Sequence, residues 1–349
     1  MEYYIGLDAH SRTCTAVVVD EKGEQKLRQT FPTTEANLID FVSKIQGIKH
    51  LTFEECTLSQ WLYLTLAEHG DHLLVCNPVY VAKKQGAKTD YRDALHLAQE
   101  LRMGHLKAVY HDESHWMELR VLTNNYLALV DDIVRAKNRL KAVFRSEVIS
   151  TDAGSFYKDR DRCKELRNPN SRFVAESLYD QVFELEKLQL EYREKFRKYL
   201  KRYRPIRNLT SVPGIDLIRA SIITAVVCTP TRFKNKHQFW GYSMLVRHIQ
   251  MSAGKIYGNK RVHGRKELRD IFLGVAESAL RTETSLRDYY DALRARGVAH
   301  KEAKMALVRK VASICLCLLK NNETFKGDYD HQQMERIQLR KTLNLESCI

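Results

Sequence analysis

The first hundred residues alternate short apolar strands with amphipathic helices. Three strand-like runs, YYIGLD, TAVVVD and QKLRQTF, occupy residues 3–31 and are separated by polar turns. A helical segment, NLIDFVSKI, follows, and strand and helix then alternate through HLTFEE, QWLYLTLAEHG, HLLVCN and DYRDALHLAQELR. Three meander strands followed by alternating helix and strand predict an α/β layer around a mixed sheet. A Rossmann fold is excluded because no glycine-rich turn follows the first strand.

From about residue 112 the apolar positions recur at spacings of three and four. The first run is Leu119, Leu122, Tyr126, Leu129, Ile133, Ala136, Leu140 and Val143, and the second is Leu178, Val182, Leu185, Leu188, Tyr192, Phe196 and Tyr199. The segment NPNSR and nearby glycine and aspartate residues interrupt them. Two such seams predict an antiparallel coiled-coil arm that dimerises. The alternative is a helical hairpin packed on its own domain.

The rest of the chain is predicted to be mostly α-helical. The segment LTSVPGIDLIRASIITAVV predicts a helix, a tight turn at the Pro-Gly pair and a second helix. This arrangement is similar to a helix-hairpin-helix, in which backbone amides at the turn hold a phosphate. Asp216 stands where that motif usually has its second glycine. RFKNKHQFWGY, a loop around Ser252 and a basic stretch lead into a final helical region that ends near residue 322.

Composition favours a protein that binds nucleic acid. The 349 residues include 57 Lys and Arg against 43 Asp and Glu, a formal net charge of +14. Contacts with phosphate supply most of the non-specific affinity for nucleic acid, so an excess of positive charge is typical of proteins that bind it. The alternative is a protein that is basic for other reasons. We expect no signal peptide, because the first residues, MEYY, lack a basic region, and no apolar run approaches membrane-spanning length. Eight scattered cysteines without zinc-site spacing indicate reduced thiols in a cytoplasmic protein.

Acidic residues occur at the ends of the predicted elements. Asp8 ends the first strand, and Glu54 and Glu55 end the fourth. Asp90 and Asp93 lie three apart at the start of a helix and therefore share a face. Carboxylates from two strand ends and a helix can converge on divalent cations, and Mg²⁺ prefers oxygen ligands. Each residue alone also fits a plainer role, as a turn cap, a helix-dipole charge or a solvated side chain.

Six segments carry a resemblance to a known family. They are YIGLDAHSRTCTAVVVD, FEECTLSQW, VCNPVYVAKKQGAKTDYRDALHLA, LTSVPGIDLIRA, RFKNKHQFWGY and MSAGKIYG…HGRKELRDIFL. In this order the chain resembles bacterial insertion-sequence transposases with a DEDD, RuvC-like N-terminal domain. These are the bridge-RNA-guided serine recombinases, which are related to Piv-type DNA invertases. The resemblance spans nearly the whole chain, and KTDYRDA is its most specific segment.

The resemblance implies an acidic tetrad that binds Mg²⁺, with Mn²⁺ as an alternative. Its members would be Asp8, Glu55, Asp90 and Asp93. Glu55 is chosen over Glu54 because the family places a small residue and a threonine after its glutamate, and Cys-Thr follows here. The adjacent second glutamate leaves this choice open.

The resemblance also implies that Ser252, in MSAGK, is a nucleophile. A serine hydroxyl needs a base or a metal to activate it. No histidine is placed by sequence to do so, and His248 is expected at the surface, so a metal held by the tetrad would take that role. The nearest competitor, Ser243, has no glycine after it. HGRKELRD lacks the family's usual Gly-Asn pair, and GYSMLVRHIQ departs from the commoner GLxP segment.

Several basic or small residues are candidate nucleic-acid contacts. They are Lys88, Gly214, Lys255, Lys260, Arg261, Arg265, Lys266 and Arg269. A solvated basic face is the alternative for those after the serine. Trp240 and Tyr257 can stack on bases, although burial is the plainer expectation for both.

The resemblance divides the chain into four parts and implies its activity. We expect a RuvC-like domain with an RNase H-like fold at 1–108, the arm at 109–203, a domain with the catalytic serine at 204–325 and a polar tail at 326–349. The implied activity is DNA strand transfer through a phosphoserine, acting on donor and target double-stranded DNA and guided by a structured non-coding RNA.

The resemblance further implies a homo-oligomer, dimer to tetramer, that is associated with the nucleoid. Its active sites would combine the tetrad of one subunit with the serine of another. Two alternatives stay open. One is a RuvC-like metal-dependent, structure-specific endonuclease in which Ser252 is only structural, and the other is an inactive relative that only binds nucleic acid. The target sequence, the guide RNA and the choice between insertion, excision and inversion are also open.

Overall fold

The computed structural model describes residues 1–81, 89–112, 116–152 and 154–327. The chain divides into two compact units, the first from Met1 to Met117 and the second from Glu118 onward. Among the helices of the described ranges, none has both the length and the apolar character of a membrane span. The seven cysteines within those ranges are all free thiols.

The N-terminal unit is built on a five-stranded mixed sheet. Its strands are β1 (Glu2–Ala9), β2 (Thr13–Asp20), β3 (Gln25–Pro32), β4 (Ile48–Glu54) and β5 (His72–Cys76), and its helices are α1 (Glu35–Ser43), α2 (Ser59–Leu66) and α3 (Asp90–Arg102). The strand order is β3-β2-β1-β4-β5. The first three strands form an antiparallel meander, whereas β4 and β5 run parallel to β1. The predicted mixed α/β sheet is confirmed.

Helices cover both faces of this sheet. Leu7 of β1 and Phe53 of β4 lie in a core with α1 and α2 on one face. Val17 of β2 packs against Ala94 of α3 on the other. Gly6 lets α3 approach, because a Cβ there would lie 2.1 Å from the Ala94 carbonyl oxygen. The alternation along β1 therefore sends successive residues to opposite layers.

From Trp116 onward the described chain is mostly helical, as predicted. The helices are α4 (Trp116–Ser146), α5 (Pro169–Arg202), α6 (Arg204–Thr210), α7 (Leu217–Val227), α8 (Lys236–Tyr242), α9 (Lys266–Ala279), α10 (Ser285–Ala295) and α11 (His300–Asn321). A two-stranded hairpin, β6 (Arg247–Ser252) and β7 (Lys255–Arg261), interrupts them. The predicted polar tail at 326–349 lies outside the described residues from position 328.

The two long helices α4 and α5 pack antiparallel. The ring of Tyr126 meets Phe196 edge-on with centroids 5.5 Å apart, and Lys137 Nζ lies 2.6 Å from a carboxylate oxygen of Glu186. From the first contact to the second, the residue number rises along α4 and falls along α5, as it does for antiparallel helices. The prediction of two long antiparallel helices is confirmed, whereas their supercoiling and dimerisation stay predictions.

The connection between α4 and α5 folds into a small core of its own. Phe144 of α4, Phe156 of the connection and Tyr179 of α5 are buried together. The Tyr179 hydroxyl donates a buried hydrogen bond to the Phe156 carbonyl oxygen at 2.7 Å. This core packs the connection against both helices, at the end of the pair where α4 finishes and α5 begins. By contrast, Leu188 in the predicted seam of α5 is 43% exposed.

Candidate functional site

An acidic cluster forms where β1 ends beside the first turn of α3. The ligand atoms of Asp8, His10 and Asp90 all lie within 4.8 Å of one another. The His10 Nε2 atom is 3.4 Å from an Asp8 oxygen and 3.9 Å from an Asp90 oxygen. The close approach of α3 at Gly6 brings these elements together. The structure thus joins two of the four predicted tetrad residues and adds a histidine that sequence analysis missed.

Charge repulsion and burial act together on Asp8. Burial raises the pKa of its carboxyl, and the charges of Asp90 and Asp93 raise it further, while His10 acts in the opposite direction. The charge of Asp93 therefore affects the pKa of Asp8, although Asp93 is outside the three-residue cluster. A bound cation would relieve this repulsion. Carboxylate oxygens suit both Mg²⁺ and Mn²⁺, so the carboxylates of Asp8 and Asp90 fit the implied metal.

The start of α3 is defined by a side-chain cap. The Thr89 hydroxyl accepts a hydrogen bond from the Arg92 amide at 3.3 Å. Asp90 and Asp93 follow in the first turn, where carboxylates also interact favourably with the helix dipole. This placement confirms that the two carboxylates share one face at the helix start.

Glu55 is held away from this cluster by a histidine. Its Oε2 atom lies 2.6 Å from Nε2 of His111, whose side chain is only 3% exposed. The other ring nitrogen of His111 lies 2.9 Å from Oε1 of Gln60. Glu55 directly follows β4, and its amide donates to the Cys76 carbonyl oxygen at 2.9 Å. Among the described residues, the cluster of ligand atoms within 4.8 Å does not include Glu55.

Ser252 is the last residue of β6, at the tip of an exposed hairpin. It pairs with Lys255 across a two-residue turn. The turn residues Ala253 and Gly254 have φ angles of +47° and +77°, so both are left-handed, as a type I′ hairpin turn requires. Cross-strand partners share a face of the hairpin, so the side chains of Ser252 and Lys255 leave the same face. The expected loop around Ser252 is thus a strand end with a tight turn.

The structure distinguishes Ser252 from the competing serine. Ser243 follows α8 and is 0% exposed, whereas Ser252 is exposed. His248 is exposed in β6, as predicted. Tyr257 is 68% exposed, so the expectation that it is buried is wrong. Only an accessible hydroxyl can reach a DNA phosphate, so Ser252 is the better candidate of the two serines.

The candidate basic contacts differ in how far their charge is already neutralised. Lys255 and Lys260 are exposed on the hairpin. Lys266 lies 3.1 Å from a carboxylate oxygen of Asp270, and Arg269 lies 4.0 Å from the same carboxylate group. The Arg265 amide donates to the Tyr242 carbonyl oxygen at 2.7 Å. Lys88 and the side chain of Arg261 lie outside what the structure describes.

The helix, tight turn and second helix expected around Gly214 are present as α6, a turn and α7. Gly214 has a φ of +84° and abuts α9, where a Cβ would lie 3.1 Å from the Cβ of Ser278. Asp216 caps α7 by accepting from the Arg219 amide at 2.8 Å. A carboxylate of the chain thus already occupies one amide that a phosphate would use. The phosphate-binding role of Gly214 stays a prediction.

Two family models match the chain over separate segments. Residues 5–148 match the transposase family DEDD_Tnp_IS110. Residues 206–291 match the Transposase IS116/IS110/IS902 family. The first segment contains the acidic cluster and the second contains Ser252.

Individual relatives show the same similarity at low identity. The chain is 25% identical to y4qE, a transposase candidate of Sinorhizobium fredii, across 89% of this chain and 87% of that protein. It is 23% identical to the 42 kDa protein of insertion element IS900 of Mycobacterium paratuberculosis, across 92% of this chain and 96% of that protein. A shorter match of 28% identity, to the 43.6 kDa protein of insertion element IS110 of Streptomyces coelicolor, covers 34% of this chain and 30% of that protein.

Proposed function

Because the chain belongs to the IS110/IS116/IS902 family of transposases, we propose that it cuts and rejoins DNA strands through a covalent bond to Ser252. The observation that supports this most is that Ser252 is exposed at the hairpin tip, with Lys255 as its cross-strand partner. The acidic cluster in the other unit supplies the second requirement, a site for divalent cations. The proposal is that both act on one scissile phosphate.

The chemistry at Ser252 is a pair of transesterifications. In the first, the Oγ–P bond forms as the bond from phosphorus to one deoxyribose oxygen breaks. The hydroxyl proton of Ser252 leaves to solvent, and the released deoxyribose oxygen takes up a proton. In the second, a deoxyribose hydroxyl of another strand attacks the phosphoserine, and Ser252 regains its proton. Phosphodiester energy is conserved, so no nucleotide cofactor is consumed.

Lys255 stabilises negative charge at this step. Its side chain leaves the same face of the hairpin as that of Ser252, from where its ammonium group can favour the ionised hydroxyl and the phosphate oxygens. Divalent cations at the acidic cluster would add charge neutralisation and lower the pKa of the attacking hydroxyl. Asp8, Asp90 and Asp93, with a glutamate from the end of β4, would hold them.

A guide RNA and a homo-oligomer of two to four subunits complete the proposal. The net charge of +14 supports binding of RNA together with donor and target DNA. The helix pair α4–α5 offers a surface for self-association, since its outer face exposes Phe183 and Leu190, at 67% and 64%. In this arrangement the acidic cluster and Ser252 that meet on one phosphate are contributed by different subunits.

A denaturing gel tests the covalent step. Labelled DNA carrying the element's junctions is incubated with the protein, Mg²⁺ and RNA transcribed from the flanking DNA. Wild-type protein should shift the label into a detergent-resistant adduct, Ser252→Ala should form none, and the exposed control Ser146→Ala should match wild type. Cleavage that persists in Ser252→Ala would instead support a RuvC-like nuclease. If Asp8→Asn left every measured property unchanged, the protein would instead be an inactive relative that only binds nucleic acid.

A further inference from the structure

The sheet of the N-terminal unit separates the two glutamates at the end of β4. β1 and β4 pair in parallel with Leu7 opposite Phe53, and both side chains lie in the core beneath α1 and α2. Paired residues of neighbouring strands face the same side of a sheet, and successive residues alternate. Asp8 and Glu54, which come next along the two strands, therefore face the opposite side.

The opposite side is the one that carries α3 and the acidic cluster. Gly6, two residues before Asp8, faces α3 so closely that a Cβ would meet the Ala94 carbonyl oxygen. Glu54 pairs with Cys76 of β5. Glu54 thus shares the face of Cys76, outside the core beneath α1 and α2.

Glu55 turns to the other layer. Its Oε2 atom is bound at 2.6 Å by His111, and the ring of His111 contacts Tyr63 of α2 with centroids 5.7 Å apart. Gln60, also on α2, holds the second ring nitrogen at 2.9 Å. Because α2 packs on the face of the sheet opposite α3, Glu55 is bound to the side away from Asp8 and Asp90.

We infer that Glu54, and not Glu55, is the glutamate that completes the cation site with Asp8, Asp90 and Asp93. This inference rests on the function proposed above. Glu54 is exposed at the carboxyl end of β4, so a cation can reach its carboxylate from solvent. The local motif that favours Glu55, a small residue followed by threonine, says nothing about which layer the side chain faces.

Glu55 acquires a different role, as the partner of a buried histidine. Its bond to His111 connects the end of β4 to the chain segment that follows β5, and Gln60 extends the connection to α2. Glu55 is therefore a structural residue, and its loss should reduce stability more than cation binding. This difference separates the two glutamates experimentally.

Titration of the full-length protein with Mn²⁺, followed by the electron paramagnetic resonance signal of free Mn²⁺, measures the cation site without DNA. Asp8→Asn serves as the reference for the loss of a ligand. Glu54→Gln should weaken Mn²⁺ binding by about tenfold or more, and Asp8→Asn should weaken it to a similar extent. Glu55→Gln should bind Mn²⁺ within about threefold of wild type but unfold at lower temperature, because His111 loses a charged partner.

The opposite pattern, in which Glu55→Gln loses Mn²⁺ and Glu54→Gln retains it, would overturn the inference. So would retention of Mn²⁺ by both variants when Asp8→Asn loses it, because β4 would then supply no ligand. These outcomes leave the proposed function standing. Failure of the wild-type protein to bind Mn²⁺ at all would instead remove both the proposed cation site and the inference that depends on it. Circular dichroism of each variant checks that the protein is folded during the titration.

Discussion

Glu55 and His111 share a short hydrogen bond of 2.6 Å that is largely shielded from water. Gln60 donates its amide N–H to the Asp112 carbonyl oxygen at 3.0 Å, so its Oε1 atom faces the imidazole. Nδ1 of His111 must then donate to Oε1, because a carbonyl oxygen only accepts.

His111→Ala is expected to lower the free energy of unfolding by about 2–3 kcal/mol, because it removes a buried charged hydrogen bond and leaves Gln60 unsatisfied. Urea denaturation measures this loss. His105→Ala is the matched control, because His105 also contacts a carboxylate, that of Glu100 at 3.2 Å, but its side chain is 62% exposed. The control should lose about 0–1 kcal/mol. Equal losses in both variants would show that burial adds nothing to the bond.

Asp8→Asn is expected to raise the melting temperature of the metal-free protein near pH 7. Burial first, and then Asp90 and Asp93, raise the pKa of Asp8. The folded state thus binds the Asp8 proton more tightly than the unfolded state does. Ionisation of Asp8 therefore disfavours folding, and stability falls as pH rises from the ordinary carboxyl pKa through the raised one. The variant removes this loss, and its stability should depend less on pH in that window.

Thermal melts with and without Mg²⁺ measure both consequences. Wild type should gain melting temperature when Mg²⁺ is added, whereas Asp8→Asn should gain little, because its site has lost a ligand. Asp40→Asn is the control, since Asp40 is an exposed carboxylate of α1 paired with Lys44. It should change neither the metal-free melting temperature nor the gain with Mg²⁺. A lower metal-free melting temperature for Asp8→Asn would contradict the raised pKa.

The layered N-terminal fold was predictable because its strands and helices differ in hydrophobic period. Runs such as TAVVVD read as strands, and DYRDALHLAQELR reads as a helix. The hairpin β6–β7 was missed although its signal is present, since Ile249 and Met251 alternate with polar neighbours up to Ser252. Those apolar residues are exposed, at 59% and 58%, so the segment lacks the buried face by which strands are usually recognised.

The site was only partly predictable because long-range contacts decide it. The three-residue spacing of Asp90 and Asp93 predicted that their side chains share one face of the helix. No local spacing connects Glu55 with His111, since 56 positions separate them in the chain. The two-residue spacing of Asp8 and His10 at a strand end was the one signal that could have located the extra histidine in the cluster.

Gly254→Val is expected to disrupt the serine hairpin, because Gly254 has a φ of +77° that a β-branched residue adopts at a cost of about 1–2 kcal/mol. The adduct at Ser252 should form more slowly although the serine is intact. Hydrogen exchange of the amides of 247–261 should be faster. Ala253→Gly is the matched control in the same turn, since Ala253 is also left-handed at +47° and glycine adopts that conformation freely. Unchanged exchange and adduct rates in Gly254→Val would contradict this account of the turn.

The basic residues around the hairpin should contribute unequally to DNA affinity. Lys255→Ala and Lys260→Ala should each reduce the slope of log affinity against log salt by about 1, because each removes an exposed cation that displaces a counterion from phosphate. Lys266→Ala should reduce it less, since Lys266 already lies 3.1 Å from a carboxylate oxygen of Asp270. Fluorescence anisotropy with a labelled duplex at several salt concentrations measures the slopes. A slope unchanged in Lys255→Ala would mean that the face bearing Ser252 does not contact the DNA backbone, and would count against Ser252 as the nucleophile.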